Sequence, residues 1–487
     1  MSAVLGHDCF VLQEKIRSCH KFLNTYKWLT DSFVLDFFTE NHWAKLCTSW
    51  AQSLDLLTLQ EMGECLLSQS GTSKTNSLVL PLSLLAFKAA CKALSLDRTA
   101  ISSLDEIISY LNKLGFKSAT LQHCEWMSPN SACKPKGALR SLSQVFHRQV
   151  KPKKQHELYR MGQCCAMISQ VTKCQTVADV GAGVGHLSRF LSYGHGLDVI
   201  CLECEEKFGS AAVKLDSKLE ESCARQGITN ITTPRHITLT LSPYTKNLME
   251  LLEPHIIKET SAVGLIGLHT CGDLGPTLIR NFAVDPGIKF ILAIGCCYMK
   301  MSLDRTSPVR GYPMSNFVQN QLNPSFVSYE ALEVACHALE SYSGRLTDLE
   351  SEKFKVHCYR ATLETLLIKL EPPLQRAGLR SVKNAHLLPF EEYTRKALDK
   401  MDVKLDFSDL SSEHVHSCLK QWKRVVMFYS LRLMLAPVIE TVVQLDRLLY
   451  LAEQGWCGCL LPLFDCRLSP RNFALLCVKP EPKSESC

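Results

Sequence analysis

The segment VADVGAGVGH, Val177–His186, sets three glycines on alternate positions between a short apolar run and a helical one. Gly181, Gly183 and Gly185 suit a turn that needs positive φ and a close approach of ligand to backbone, which only glycine allows cheaply. The helix after them offers free N–H groups at its start. Strand, glycine turn and helix in that order predict a parallel α/β sheet with a nucleotide-type cofactor at a strand's carboxyl end.

A glycine loop of this form is shared by nicotinamide, flavin and S-adenosylmethionine sites, and two acids discriminate among them. Asp179 stands on the strand before the loop, where dinucleotide sites usually keep a small or apolar residue. Glu203 lies 24 positions further on, ending the run Val199–Leu202, where a carboxylate can accept both hydroxyls of a ribose. Its plain alternative is a surface acid at a strand end. Asp179, Gly181, Gly183, Gly185 and Glu203 together favour S-adenosylmethionine, with Asp179 near its cationic amino-acid end.

Around the loop, strands are predicted at Val177–Val180, Asp198–Leu202, Ile231–Ile237, Ala262–Leu268 and Phe290–Ile294. Trp456–Leu463 and Phe473–Val478 read as a terminal hairpin. Apolar residues at helical spacing, among them Phe22, Tyr26, Phe37, Trp43 and Trp50, predict an all-helical N-terminal domain over 1–125 whose aromatics are core. Residues 126–153 read as a basic linker, 154–300 as the cofactor-binding core and 301–424 as a helical insertion or lid after strand 5. Residues 425–479 complete the core, and 480–487 read as a disordered tail. Lys134, Lys136, Arg140, Arg148, Lys151, Lys153 and Lys154 appear with no acid among them. They suit either a solvated linker or a lip for a phosphate backbone or acidic partner.

Bulk properties narrow the class. A net charge of +6 over 487 residues is too mild to imply nucleic acid by itself. The 24 scattered cysteines, in a chain too long to need staples, point to a reducing compartment, cytosol or nucleus. Met1–Cys9 lacks the pattern of a secretory signal. Val425–Leu451 could pass for a membrane span, but Arg432, Glu440, Asp446 and Arg447 mark it as a buried amphipathic helix.

Three uncommon segments flank the loop: KPKKQHE (Lys151–Glu157), GLHTCGDL (Gly267–Leu274) and IGCCYM (Ile294–Met299). With DVGAGVGHLS (Asp179–Ser188) and LFDCRLSPRN (Leu463–Asn472), they resemble the methyltransferase-like protein 25 family, of the methyltransferase domain 32 type. The resemblance implies a class I, Rossmann-like methyltransferase fold: a mostly parallel sheet ending in an antiparallel hairpin. It implies an S-adenosylmethionine-dependent enzyme acting on RNA or on a ribosome- or translation-associated protein. The competing expectation is a non-catalytic scaffold that keeps the cofactor fold. Adenine N6-methyltransferases carry an Asn/Asp-Pro-Pro-Tyr-like segment after strand 4; here His269–Gly272 reads HTCG, which argues against base dimethylation.

Site expectations follow. His156, Glu157 and His269 are candidates to orient or deprotonate the acceptor; for Lys154, His156 and Glu157 the alternative is helix capping and surface charge. Lys154 and Asp273 are expected at the cofactor, with helix capping as the alternative for Asp273. Cys296, Cys297, Tyr298, Arg310 and Arg360 are expected to line the acceptor site. Zinc ligation by His269, Cys271, Cys296 and Cys297 is disfavoured, because neighbouring cysteines on a strand face opposite ways and no C-x₂-C spacing occurs. No structural metal is expected.

Overall fold

A computed structural model of the chain describes residues 4–5, 8–67, 79–103, 105–116, 150–228, 231–257, 262–304, 306–322, 327–347, 351–401, 403 and 405–480. Lys134, Lys136, Arg140 and Arg148 of the basic segment, and residues 481–487 of the expected tail, lie outside these. The chain divides into two compact units. One comprises Met1–Ser18, Asp97–Ser325 and Thr441–Cys487; the other comprises Cys19–Leu96 and Phe326–Glu440.

The first unit holds one eight-stranded sheet: β1 (Val4–Leu5), β2 (Thr176–Val180), β3 (Asp198–Glu203), β4 (Arg235–Thr238), β5 (Val263–Thr270), β6 (Ile288–Gly295), β7 (Gly458–Pro462) and β8 (Phe473–Val478). Their order is β1-β7-β8-β6-β5-β2-β3-β4. β2 is parallel to both β3 and β5, β3 to β4, and β5 to β6. β8 runs antiparallel between β6 and β7, which is the predicted hairpin. The two-residue edge strand β1, antiparallel to β7, was not foreseen. Every residue of β2, β7 and β8 is buried, which is why these strands read as continuous apolar runs.

Helices α1 (Pro152–Thr172), α2 (His186–His195), α3 (Glu206–Arg225), α4 (Leu274–Val284) and α5 (Ala436–Glu453) accompany the sheet. α1 begins at Pro152, which at the first helical position brings a preset φ and needs no N–H partner. α1 and α2 approach closely at Gly162, where a Cβ would stand 2.3 Å from the Phe190 ring.

The second unit has no strand among its described residues. Leu363, Leu367, Phe390, Tyr393 and Val415 form one core, and the Tyr26, Trp50 and Phe87 rings pack at 4.7–6.3 Å between centroids. Buried Asp36 receives Arg376 Nε and Nη2 at 2.9 and 2.6 Å, and Asp55 takes a two-pronged contact from Arg424 at 2.7 Å. These pairs join an N-terminal segment to one over 300 residues later. The expected helical domain (1–125) and insertion (301–424) are therefore not two bodies. Their central parts share one unit, while Asp97–Phe116 and residues up to Ser325 go with the sheet.

Trp422–Glu453 is the one stretch among the described residues long and apolar enough to cross a membrane, and its most apolar window is wholly buried. It is two helices, Trp422–Leu433 and α5, rather than one amphipathic helix, and its charges are buried too. Arg432 meets Glu333 at 3.3 Å. Asp446 accepts the Met314 and Ser315 N–H groups at 2.7 and 3.0 Å and the Ser315 hydroxyl at 2.6 Å. Asp446→Ala leaves three donors unsatisfied in the sheet unit and should lower stability by about 3 kcal/mol. A urea midpoint that does not move would show that the carboxylate is not what fixes residues 314–315.

Candidate cofactor and acceptor site

Strand order reverses at β2, so the loops leaving β2 and β5 diverge at their carboxyl ends, where open α/β sheets hold ligands. The glycine loop turns there through Gly181, Gly183 and Gly185 at φ of 72°, 58° and 74°. The Gly181 and Ala182 N–H groups donate to the Leu202 carbonyl at 2.9 and 3.1 Å. The Gly183 N–H donates to Glu203 Oε2 at 2.8 Å, which fastens the loop to the end of β3. Behind it, Asp216 on α3 accepts from Arg189 of α2 at 3.0 Å and pairs with His236 of β4 at 2.6 Å. A Cβ on Gly185 would lie 3.0 Å from His236 and 3.2 Å from Arg189. Sequence reasoning missed this Arg189–Asp216–His236 group, whose members share no motif spacing.

Asp179 is buried on β2 and accepts the Ser188 hydroxyl at 2.6 Å. Burial lifts its acid to about 6, an effect that the Ser188 bond and the Lys154 charge only partly offset. An anion so incompletely compensated suits a cationic ligand group.

Glu157 on α1 is almost fully buried. One carboxylate oxygen accepts the Ser469 hydroxyl at 2.7 Å, and the other lies 3.3 Å from His269 Nε2 at the end of β5. Lys153 and Lys154 approach it at 3.7 and 4.0 Å. Burial pushes this acid up, but the donations from His269 and Ser469 and the charges of His269 and Lys154 outweigh it and hold it at about 2. Glu157 is thus no proton acceptor near neutrality. It orients His269, and in a neutral ring donation from Nε2 leaves Nδ1 as the accepting nitrogen. The His269 side chain stays 41% exposed, open to solvent. His156 is corrected: it is buried against Phe464, and its Nε2 accepts the Asp465 N–H at 3.0 Å, so it holds the turn after β7.

Other expectations fare unevenly. The Asp273 side chain does not cap α4; its Oδ1 accepts the Ser302 N–H at 2.7 Å, tying the start of α4 to the segment after β6. Tyr298 is 1% exposed, with its hydroxyl bonded to Gln444 at 2.9 Å, so it is core and not a stacking face. The Arg310 carbonyl accepts from Arg280. Arg360 belongs to the other unit, on the helix Lys355–Leu370, where it reaches Tyr393. Cys296 and Cys297 do not alternate across a strand, because β6 ends at Gly295 and the pair lies beyond it. Their sulfurs and that of Cys271 come together, with Cys271–Cys296 at 2.8 Å and Cys271–Cys297 at 3.4 Å.

Residues 153–304 match the methyltransferase domain family. The human probable methyltransferase-like protein 25 is 32% identical over 256 residues, covering 49% of this chain and 41% of the relative. The mouse protein is 31% identical over 245 residues, covering 46% and 39%. The chain is similar to these methyltransferase-like proteins over about half of its own length. It spans about two fifths of the length of these relatives. Among solved structures, a methyltransferase from Agrobacterium tumefaciens aligns at a TM-score of 0.21 with 12% identity, over 35% of this chain and 56% of that one. The plantazolicin methyltransferase BpumL in complex with SAH aligns at 0.20 with 13% identity, over 58% and 90%. The domain match covers α1 through β6, the elements that carry the glycine loop, Glu157 and His269.

The two buried acids should leave opposite marks on stability. Glu157, held at about 2 against an ordinary 4.5, adds on the order of 3 kcal/mol above pH 5, lost as pH falls from 4.5 toward 2. Asp179, raised to about 6 from 3.8, imposes a similar cost that appears as pH rises from 4 through 6. At pH 7, urea unfolding should therefore find Glu157→Gln less stable and Asp179→Asn more stable than the parent. Equal or reversed shifts would contradict these environments.

Proposed function

We propose that the crevice at the ends of β2, β3 and β5 binds S-adenosylmethionine, and that the protein uses it to methylate an RNA or a protein of the translation apparatus. The observation that carries this reading is Asp179, a buried, under-compensated carboxylate beneath a positive-φ glycine loop. A binding site that keeps an anion at a cost to folding is built for a cation, and the methionine ammonium is one. Glu203 at the β3 end suits the ribose hydroxyls, and Lys154 the ligand carboxylate.

Bound S-adenosylmethionine supplies an already electrophilic methyl group, so the chain's task is to align the acceptor and receive its proton. His269 is the group suited to take that proton, and Glu157 is its positioning residue, fixed by Ser469. The seven basic residues between Lys134 and Lys154, with no intervening acid, suit a polyanionic acceptor such as RNA, encountered in cytosol or nucleus. HTCG at His269–Gly272 gives no adenine-amino clamp, so the reading does not extend to adenine N6.

Isothermal titration should find one S-adenosylmethionine per chain and no heat with NAD. Gly183→Arg should abolish binding, and Asp179→Asn should weaken it at least tenfold. A folded protein that gives no heat with S-adenosylmethionine would overturn the reading. With tritiated methyl donor and fractionated cell RNA and protein, label should pass to an acceptor, and His269→Ala should slow transfer about 10²–10⁴-fold with cofactor affinity little changed. Binding without any transfer would leave the scaffold alternative instead.

A further inference from the structure

Beyond the methyl-donor crevice, three thiols converge where nothing in the proposed reaction calls for them. Cys271 follows β5 directly, and Cys296 and Cys297 follow β6, the neighbouring strand. The sulfurs stand 2.8 Å apart for Cys271–Cys296, 3.4 Å for Cys271–Cys297 and 3.8 Å for Cys296–Cys297. They are the one such group of three metal-ligating side chains among the described residues. The shortest separation lies well outside the roughly 2.05 Å of a disulfide. Thiolates around zinc, each at about 2.3 Å in a tetrahedron, lie about 3.8 Å apart. One edge of the triangle already has that length, and a bound cation would have to draw the other two apart, by about 1.0 Å for Cys271–Cys296 and about 0.4 Å for Cys271–Cys297.

The surrounding backbone is braced to hold this arrangement. The Thr270 hydroxyl donates to the Ile294 carbonyl at 2.8 Å, locking the two strand ends together. Gly272 turns at φ 57°, where a Cβ would come 2.7 Å from the Lys300 carbonyl. Two loops are thus clamped with their sulfurs facing one another. Cys296 is buried, whereas Cys271 and Cys297 reach solvent.

We propose that Cys271, Cys296 and Cys297 form a three-thiolate site for a zinc-class divalent cation at the carboxyl edge of β5 and β6. Three protein ligands leave a fourth position for water or an exchangeable ligand, the open arrangement typical of working rather than purely structural zinc. The soft donors select zinc or cobalt over magnesium or calcium. Lys300, which bears on Cys271, offsets part of the excess negative charge.

Cobalt(II) titrated into the reduced, chelator-treated full chain tests this. The expected result is one cobalt per chain with a thiolate-to-cobalt charge-transfer band, displaced by zinc. Cys271→Ser and Cys297→Ser should each weaken cobalt binding at least tenfold and diminish the band, while Cys47→Ser, exposed in the other unit, should leave both unchanged. Circular dichroism of each variant separates loss of the site from loss of fold, and the parent protein alone suffices to refute. Folded, reduced parent that takes up no stoichiometric cobalt would overturn the proposal, as would a band untouched by the Cys271 and Cys297 substitutions. The readout is the metal itself, so failure to bind S-adenosylmethionine would not bear on it.

Discussion

Because β2 is parallel to β3 on one side and β5 on the other, the loops leaving their carboxyl ends turn apart and open a crevice that the chain must line. Everything chemically distinctive converges on that edge: the glycine loop after β2, Glu203 ending β3, His269 and Cys271 after β5, and Cys296 and Cys297 after β6. α1 enters beforehand and delivers Glu157 and Lys154 to the same place. The turn between β7 and β8, 312 residues after Glu157 in the chain, returns Ser469 to close its carboxylate. A site assembled from such distant segments depends on the sheet for its precision, since no two of its elements are held together by local sequence alone.

The edge contains two buried acids treated in opposite ways. Glu157 is surrounded by donors and cations and is stabilised as an anion, so it acts as a fixed point for His269. Asp179 lies as deep but is met by a single hydroxyl and a more distant lysine, and burial dominates. The contrast separates a carboxylate satisfied within the fold from one that the fold leaves under-compensated. It also explains why two carboxylates of equal apparent interest in the sequence carry different chemistry: environment, not residue type, assigns the role.

Much of this was legible in the chain because the strands are short, wholly buried and punctuated by glycine. All seven predicted strands form, with ends shifted by a few residues, and the expected turn glycines all adopt positive φ. What failed was whatever required knowing a partner. His156 and Glu157 are adjacent on one helix and looked equivalent; only the β7–β8 turn shows that one nitrogen serves the Asp465 backbone. Asp273 looked like a side-chain cap, but the segment after β6 brings the Ser302 N–H to its Oδ1 instead. The helical segments before and after the sheet gave clear periodicity but not their pairing, which rests on Asp36–Arg376 and Asp55–Arg424.

The cysteines show most clearly how a correct local rule can be misapplied. Alternation of side chains holds only while backbone is extended, and β6 stops one residue before Cys296. Beyond that point the chain turns, with the Tyr298 N–H bonded to the Cys296 carbonyl at 3.0 Å, and consecutive side chains can point the same way. Cys271 lies likewise one residue past the end of β5, its N–H bonded to the His269 carbonyl at 3.1 Å. Adjacent parallel strands end side by side, so residues just beyond them become neighbours whatever their separation in sequence. A CxxC spacing obtains such proximity from a single turn; here two neighbouring strand ends supply it, which is why no spacing motif announced it.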